Sequence, residues 1–336
     1  MAVRVAINGF GRIGRNILRA IVEGDRDNDV EVVAVNDLGP VETNAHLLRY
    51  DSVHGRFPHE VKVEGDVIAT DRQKFKVTAV KNPAELPHKE LGVDIVLECT
   101  GLFTSKEKAS AHLAAGAKKV IVSAPAEGAD LTVVYGINHD QLRKEHIVIS
   151  NGSCTTNCLA PMARVMDQLV GIEKGMMTTI HSYTGDQPTL DTMHRDLYRA
   201  RAAALSQIPT STGAARAIGL VLPELKGKLD GISVRVPTPN VSLVILNFSA
   251  KRSTTPAEIN DAFIAASEGP LKGIMSFTRD PLVSSDLNHD PHSATILLDQ
   301  TKVIDGTFVT VFGWYDNEWG FSNRMVDVTA AFAKTL

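Results

Sequence analysis

The 336-residue chain carries 35 Lys and Arg against 39 Asp and Glu, a formal net charge of −4, and is 43% hydrophobic. This composition suits a globular protein with sizeable cores and a length compatible with two domains, and it argues against a nucleic-acid protein driven by bulk positive charge. No apolar run reaches the roughly 18 residues of a membrane span, and the three cysteines (Cys99, Cys154, Cys158) lack the density of a disulfide scaffold. The N-terminus reads straight into a strand with no secretory pattern, so a reducing, cytoplasmic setting is expected.

Val3 to Ile7 has the β-branched pattern of a strand. Asn8-Gly9-Phe10-Gly11-Arg12-Ile13-Gly14-Arg15 follows directly, a G-x-G-x-x-G run, and Ile13 to Val22 carries apolar residues at helical spacing. Between a strand and a helix this run is a dinucleotide fingerprint. Gly9 permits the tight turn, Gly11 lets backbone approach a pyrophosphate, Gly14 lets helix and strand pack closely, and the helix N-terminus offers N–H donors to the anion. Glu31 to Val35 is the next strand. Asp37 follows it, 23 positions beyond Gly14, where a carboxylate accepts from a ribose 2′-hydroxyl and repels a 2′-phosphate. The cofactor expected is therefore NAD rather than NADP. Asp94 to Leu97 and Lys119 to Val122 are further strands, separated by a helical stretch around Ser105 to Ala114. The β-α-β rhythm predicts a Rossmann-type, doubly wound parallel sheet.

Ile147 to Ser150 reads as a strand and about Thr156 to Leu169 as a helix, with Cys154 at the turn between them. Helix N–H groups and the positive end of the dipole stabilise a thiolate there. Cys158 falls on the same helix face, where core packing is expected rather than a disulfide with Cys154. Beyond this helix lie longer alternating runs at Lys174 to His181, Ile232 to Val236, Ser242 to Ser249 and Thr307 to Tyr315, which suit an α+β domain with a mixed or antiparallel sheet. His181 ends the first of these among hydroxyl residues, and imidazole is suited to take a proton from a thiol near neutral pH. Tyr183 to Gln207 is a long, weakly periodic loop of functional length, in which Arg195, Arg199 and Arg201 recur. Thr210 to Ala215 is a hydroxyl-rich entry to a helix and a ready anion site. Arg235 on a β-branched strand calls for an anion or a buried carboxylate. Thr254 or Thr255 before Pro256 marks a helix start, and Met325 to Leu336 reads as a C-terminal helix. His289 and His292 flank a proline without a Cys or carboxylate framework, and no metal is expected. The domains expected are residues 1–150, with a helix from about 317–336 packing back on them, and residues 151–316.

Taken in order, these motifs resemble the phosphorylating glyceraldehyde-3-phosphate dehydrogenases of the bacterial and eukaryotic type. The resemblance rests on the stretches from Ala6 to Arg15, Ser153 to Pro161, His181 to Thr184, Ser211 to Ala215, Arg235 to Ser242 and Trp314 to Glu318. It covers essentially the whole chain, and the Cys-Thr-Thr-Asn-Cys block is its most specific part. It implies a homotetramer, with Cys154 as nucleophile and His181 as base and oxyanion partner. It further implies that Thr184, Asp186 and Arg235 hold the substrate's C3 phosphate. Ser153, Thr155, Arg201, Thr212 and Gly213 would hold the attacking inorganic phosphate. Arg12, Ile13, Thr100, Gly101 and Ser123 would line the cofactor cleft beside Asn8 and the three glycines. Asn317 would orient the nicotinamide amide, and the loop Tyr183 to Gln207 would pack against a neighbouring subunit's cofactor site.

Four positions at three places depart from that pattern. Gly152 stands where Ala is usual and is expected to loosen the backbone before the nucleophile. Thr192-Met193 replaces a Leu-Pro pair, weakening the exclusion of NADP, although Asp37 and Leu38 still favour NAD. Phe321 replaces a Tyr. The activity expected is glycolytic oxidation and phosphorylation of D-glyceraldehyde 3-phosphate to 1,3-bisphosphoglycerate with NAD reduction, through a thiohemiacetal and a thioester on Cys154. An erythrose-4-phosphate dehydrogenase is the nearest alternative, and the Ser211 to Ala215 loop weighs against it because that loop suits bound phosphate. A non-catalytic, NAD-responsive scaffold is the alternative of another class, set against the net negative charge and the Cys154/His181 pair. No membrane partner and no primary nucleic-acid role are expected.

Overall fold

Seven short runs from the first half of the chain line up in parallel in the computed structural model, which describes residues 2–336. Their order is Leu131–Thr132, Val148–Ser150, Lys119–Val122, Ile95–Glu98, Val3–Asn8, Val30–Asn36 and Lys74–Thr78. Val5, Ile7, Val32, Val35, Ile95, Val96, Leu97, Val120 and Ile121 are fully buried, as strands covered on both faces must be. The sheet reaches nine strands through an edge absent from the sequence reading, where Val67–Thr70 and Val61–Glu64 pair antiparallel. Charged Lys62 and Glu64 make that edge half-solvated, the condition under which antiparallel pairing is common.

Helix Arg12–Glu23 buries Ile17, Leu18 and Ile21. The helical stretch expected at Ser105 to Ala114 is instead two single turns, Lys106–Ala109 and Ala111–Ala114. Ser110 lies between them and its hydroxyl donates to the Lys106 carbonyl at 2.7 Å, a side-chain bond that loosens a helix at that turn. The C-terminal helix, Trp319–Ala333, starts close to the position 317 expected for it and ahead of Met325, where the apolar run begins. Asp316 explains this, since its Oδ1 accepts from the N–H groups of Glu318 and Trp319 at 2.9 and 2.8 Å.

The chain divides into two units. One comprises the residues up to Val133, His139–Gly152 and Ser322–Leu336, and the other Val134–Asn138 with Ser153–Phe321. Buried Lys119 anchors the C-terminal segment within the first unit. Its Nζ donates to the Thr335 hydroxyl at 2.6 Å and to the carbonyls of Lys144 and His146, and lies 4.2 Å from the Phe332 ring.

The second unit is built on a mixed sheet in the order Ile208–Ser211, Leu229–Val236, Ile172–Ser182, Ser242–Ala250, Phe308–Tyr315, Ala294–Leu297 and Met275–Thr278, with Lys302–Ile304 on Phe308–Tyr315. Ser242–Ala250 shows the alternation of a sheet covered on one face. Val244, Leu246 and Phe248 are buried, whereas Leu243 and Ile245 are half-buried. The buried row packs with Leu159, Met162 and Met166 of helix Cys154–Val170, and with Ile259 and Phe263 of helix Pro256–Glu268. The latter is capped by Thr255, with Pro256 at its first turn. Among the described residues no helix is long and apolar enough to cross a membrane.

Candidate active site

The glycine fingerprint sits at the C-terminal ends of the first unit's parallel strands, where chain order reverses on either side of Val3–Asn8. Such a switch point opens a crevice. A cleft of about 540 Å³ lies there, lined by Asn8, Gly9, Gly11, Asn36, Asp37, Leu38 and Thr100 among others. Gly9 has φ +92, and a Cβ on it would stand 2.7 Å from the Thr100 nitrogen. A Cβ on Gly14 would stand 2.2 Å from the Gly9 carbonyl oxygen, whereas one on Gly11 would meet nothing within 4 Å. Two glycines are thus required by packing and the third leaves open the approach to the helix start. The Asp37 carboxylate is fixed by the N–H groups of Phe10 and Gly39 at 2.9 and 3.2 Å. This fits NAD: an open glycine at a helix N-terminus for the pyrophosphate and an oriented carboxylate on the cleft wall for the ribose.

Of the other cofactor candidates, Arg12 pairs with the Asp51 carboxylate. Burial alone would raise Asp51, but the Arg12 guanidinium and the N–H groups of His54 and Val53 hold it at about 2. Ile13 is half-buried, Gly101 is exposed at φ +73, and the Ser123 N–H donates to the Glu98 carbonyl. Asn317, in the second unit, has its Oδ1 fixed by the hydroxyls of Ser182 and Ser242, each at 2.8 Å. Beside Ser242, Val241 is held at φ +69, a costly conformation for a β-branched residue.

Cys154 is the first residue of its helix, and the Ser153 side chain caps that helix by accepting from the Thr156 N–H at 3.0 Å. Cys154 Sγ lies 3.5 Å from His181 Nε2, and His181 Nδ1 lies 2.7 Å from the Ser182 carbonyl. A carbonyl only accepts, so the proton of neutral His181 sits on Nδ1 and Nε2 offers its lone pair to the sulfur. Burial pushes the Cys154 thiol up, against Arg235 and the hydroxyl and N–H of Thr155, which favour the thiolate. Burial also pulls His181 down to about 3, with Arg235 acting in the same direction and the Ser182 carbonyl opposing. Enclosure thus acts against the stabilisation that the helix start offers the thiolate. Passing the proton from Sγ to Nε2 keeps the pair neutral overall, so the two groups ionise as one unit.

The anion candidates divide. The Thr184 hydroxyl donates to Asp186 and accepts from Arg235 at 2.9 Å, and Arg235 also donates to the Ser182 carbonyl at 3.1 Å. Arg235 makes no ion pair among the described residues, and its buried Nε has no partner. A half-buried guanidinium whose buried Nε is an unfilled donor is a seat for an anion. Arg201 is not brought here. It pairs with Asp191 at 2.7 Å and its side chain is 65% exposed. Arg199 instead meets the cluster, donating to Asp186 at 2.9 Å and to the Thr210 hydroxyl at 3.1 Å. Thr155 and Ser153 hold their hydroxyls elsewhere: Thr155 Oγ1 lies 2.8 Å from the Tyr315 hydroxyl, and Ser153 is the helix cap. Thr212 accepts from the Ala214 N–H at the start of helix Ala214–Val221, with Gly213 as that helix's cap residue.

Tyr315 was not singled out from sequence. Its hydroxyl bridges Thr155 and Thr179, and its ring meets His181 edge-on at 5.9 Å. Its inward parity on an alternating strand was the available signal. Gly152 has φ +64 and donates to the Ser150 hydroxyl at 3.0 Å, so glycine meets a left-handed backbone there rather than loosening it. Cys158 packs in the core, 3.7 Å from the Gly313 carbonyl. Burial and Glu98 push the Cys99 thiol up to about 12. Met193 is almost fully exposed and Phe321 is buried. His289 stacks on Trp319, whereas His292 bonds Asp290.

Residues 3–106 match a family model described as the NAD binding domain of glyceraldehyde 3-phosphate dehydrogenase, and residues 153–317 match its C-terminal domain. The chain is 72% identical over 334 residues to a glyceraldehyde-3-phosphate dehydrogenase of Xanthobacter flavus, covering 99% of each chain. It is 66% identical to one of Cereibacter sphaeroides over 336 residues, all of both chains. It is 56% identical to one of Pseudomonas aeruginosa over 333 residues, 99% of each.

Proposed function

The chain belongs to the glyceraldehyde 3-phosphate dehydrogenase family of NAD-dependent oxidoreductases, and on that premise we propose a covalent mechanism for it that runs through Cys154 and His181. The carrying observation is the 3.5 Å approach of Cys154 Sγ to His181 Nε2, with Nδ1 committed to the Ser182 carbonyl. His181 takes the thiol proton and the sulfur attacks the aldehyde carbon. The new C–S bond leaves an alkoxide, which His181 protonates to give a thiohemiacetal. His181 then withdraws that hydroxyl proton as the carbon loses a hydride, leaving a thioester on Cys154. NAD, when bound, supplies the acceptor for the hydride. A phosphate oxygen attacks the thioester carbonyl, the C–S bond breaks, and acyl phosphate leaves with the sulfur restored. Splitting one difficult acyl transfer into two steps is the gain of the covalent route.

Arg235, with Thr184 and Asp186, is the proposed seat of the substrate phosphate, and the unfilled Nε of Arg235 supports that reading. Arg199 replaces Arg201 in the phosphate-binding set, on the strength of its contacts with Asp186 and Thr210. Gly9, Gly11, Gly14 and Asp37 hold NAD, and Asn317 keeps the amide-orienting role that the resemblance gives it. The homotetramer is supported by the loop Tyr183 to Gln207, which presents Leu190, Met193, Leu197 and Leu205 largely to solvent, an apolar surface that monomers rarely leave open. Light scattering is expected to give about four times the chain mass; a monomer at working concentration contradicts this part of the reading.

The test of the function is NADH formation from glyceraldehyde 3-phosphate with phosphate, with arsenate, and with neither. Steady turnover is expected with either oxyanion and, without them, no more than about one equivalent per site, the burst of an acyl-enzyme. Sustained turnover without oxyanion, or a preference for erythrose 4-phosphate, contradicts the proposal.

A further inference from the structure

Beneath the dinucleotide cleft runs a polar chain that neither the glycine fingerprint nor the Cys154 chemistry uses. Glu98 ends its strand only 1% exposed. Its Oε2 accepts from Asn8 Nδ2 at 2.6 Å and from His112 Nε2 at 3.0 Å. Its Oε1 accepts from the Thr100 N–H at 2.8 Å and from the Thr100 hydroxyl. Behind it, His112 Nδ1 lies 3.1 Å from His88 Nε2, both rings buried. In front, Asn8 Oδ1 accepts from Asn36 Nδ2 at 2.7 Å, and Asn36 Oδ1 accepts from the Thr78 hydroxyl and the Val80 N–H, each at 2.9 Å. The chain crosses the C-terminal ends of four neighbouring strands.

This network has a direction. A carboxylate only accepts, so His112 donates from Nε2 and, when neutral, accepts at Nδ1. His88 must then donate from Nε2, and its Nδ1 is left buried without a partner. Asn8, His112 and Thr100 all donate to one acceptor, Glu98. The residues it organises directly or through one neighbour, Asn8, Thr100 and Asn36, all line the cleft. The loops after Val3–Asn8 and Ile95–Glu98 also touch, since a Cβ on Gly9 would lie 2.7 Å from the Thr100 nitrogen. A shift of Thr100 is therefore felt at the first glycine.

We propose that Glu98, backed by His112 and His88, is a positioning residue for the dinucleotide: by holding the Asn8 amide and the Thr100 backbone it sets the two loops against which the cofactor seats. The inference rests on reading this cleft as the NAD site. Glu98→Gln keeps the volume but turns one acceptor oxygen into an NH₂ that must face donors. Calorimetry with NAD is expected to give a dissociation constant raised at least about tenfold, the scale of one lost charge-assisted bond turned repulsive. The KM for NAD rises with it, while kcat at saturating NAD and the KM for the aldehyde stay within about twofold, since no group at the reacting atoms is altered. His112→Gln, which keeps the carboxylate, is expected to weaken NAD by a smaller factor in the same direction. NAD binding within about twofold of wild type in Glu98→Gln overturns the proposal, as does a loss shared equally by the NAD and aldehyde parameters. If Glu98→Gln does not fold, His112→Gln and Thr100→Val decide, and unchanged NAD affinity in both overturns it. Wild-type protein that binds no NAD would instead defeat the functional reading before any variant is made.

Discussion

At Cys154 the surroundings oppose the state that the chemistry needs. Enclosure disfavours a lone thiolate, and the same enclosure disfavours a lone imidazolium at His181. Proton transfer between them avoids net charge, and in the mechanism proposed the 3.5 Å contact is the route by which Cys154 becomes reactive. His181→Asn removes the proton acceptor and leaves the burial. Burial raises the thiol, so without its partner Cys154 should ionise at higher pH. Alkylation by iodoacetamide is expected to slow at pH 7 by about tenfold or more and to recover as pH rises, while kcat falls by about 10²–10⁴. An unshifted alkylation profile contradicts the pairing. Cys99, pushed up to about 12, should stay unlabelled under the same conditions.

Loop Tyr183 to Gln207 shows where residue types alone run out. Arg199 and Arg201 stand two apart in a segment with neither helix nor strand period, so no pattern in the sequence separates them. The fold does, by tying Arg199 to Asp186 and Thr210 and leaving Arg201 with Asp191 in solvent. Arg199→Ala is expected to lower kcat/KM for the aldehyde by at least about tenfold, and Arg201→Ala to change it by less than about threefold, as an exposed ion pair does. Equal effects would restore the sequence assignment. Regular elements were easier. The Val3–Asn8 strand and the Arg12–Glu23 helix carry clean periods, and the glycines between them have roles fixed by close contact. The antiparallel edge Val61–Thr70 was missed because short, charged alternation resembles exposed loop. The break at Ser110 and the cap at Asp316 are single side-chain hydrogen bonds, which a hydrophobic pattern does not record.

Across the whole molecule, the α/β class with a parallel sheet and a second mixed sheet was legible because strand length and apolarity change at Cys154. The buried polar chain around Glu98 was not, since Asn8, His88, Glu98 and His112 are scattered in sequence and meet only in the fold. That burial has a consequence for stability. Burial pulls His88 down to about 4, with His112 beside it acting in the same direction. The unfolded chain takes up this proton near pH 6.5, whereas the folded chain cannot until about pH 4. Stability from neutral His88 is therefore full above pH 6.5 and is lost as pH falls, at up to about 1.4 kcal/mol per pH unit. Thermal melts from pH 8 to pH 5 should show Tm falling below about pH 6.5, with a shallower slope in His88→Phe. Equal slopes in the two proteins would show that burial does not lower the titration of this ring in the native state.

The covalent route is tested most directly on the peptide that carries Cys154. Enzyme mixed with glyceraldehyde 3-phosphate and NAD, without phosphate, and quenched in acid should yield that peptide with the mass of one phosphoglyceroyl group, and brief addition of phosphate should remove it. NADH formed with no acyl mass on Cys154 would contradict a sulfur-bound intermediate and the role of His181 built upon it.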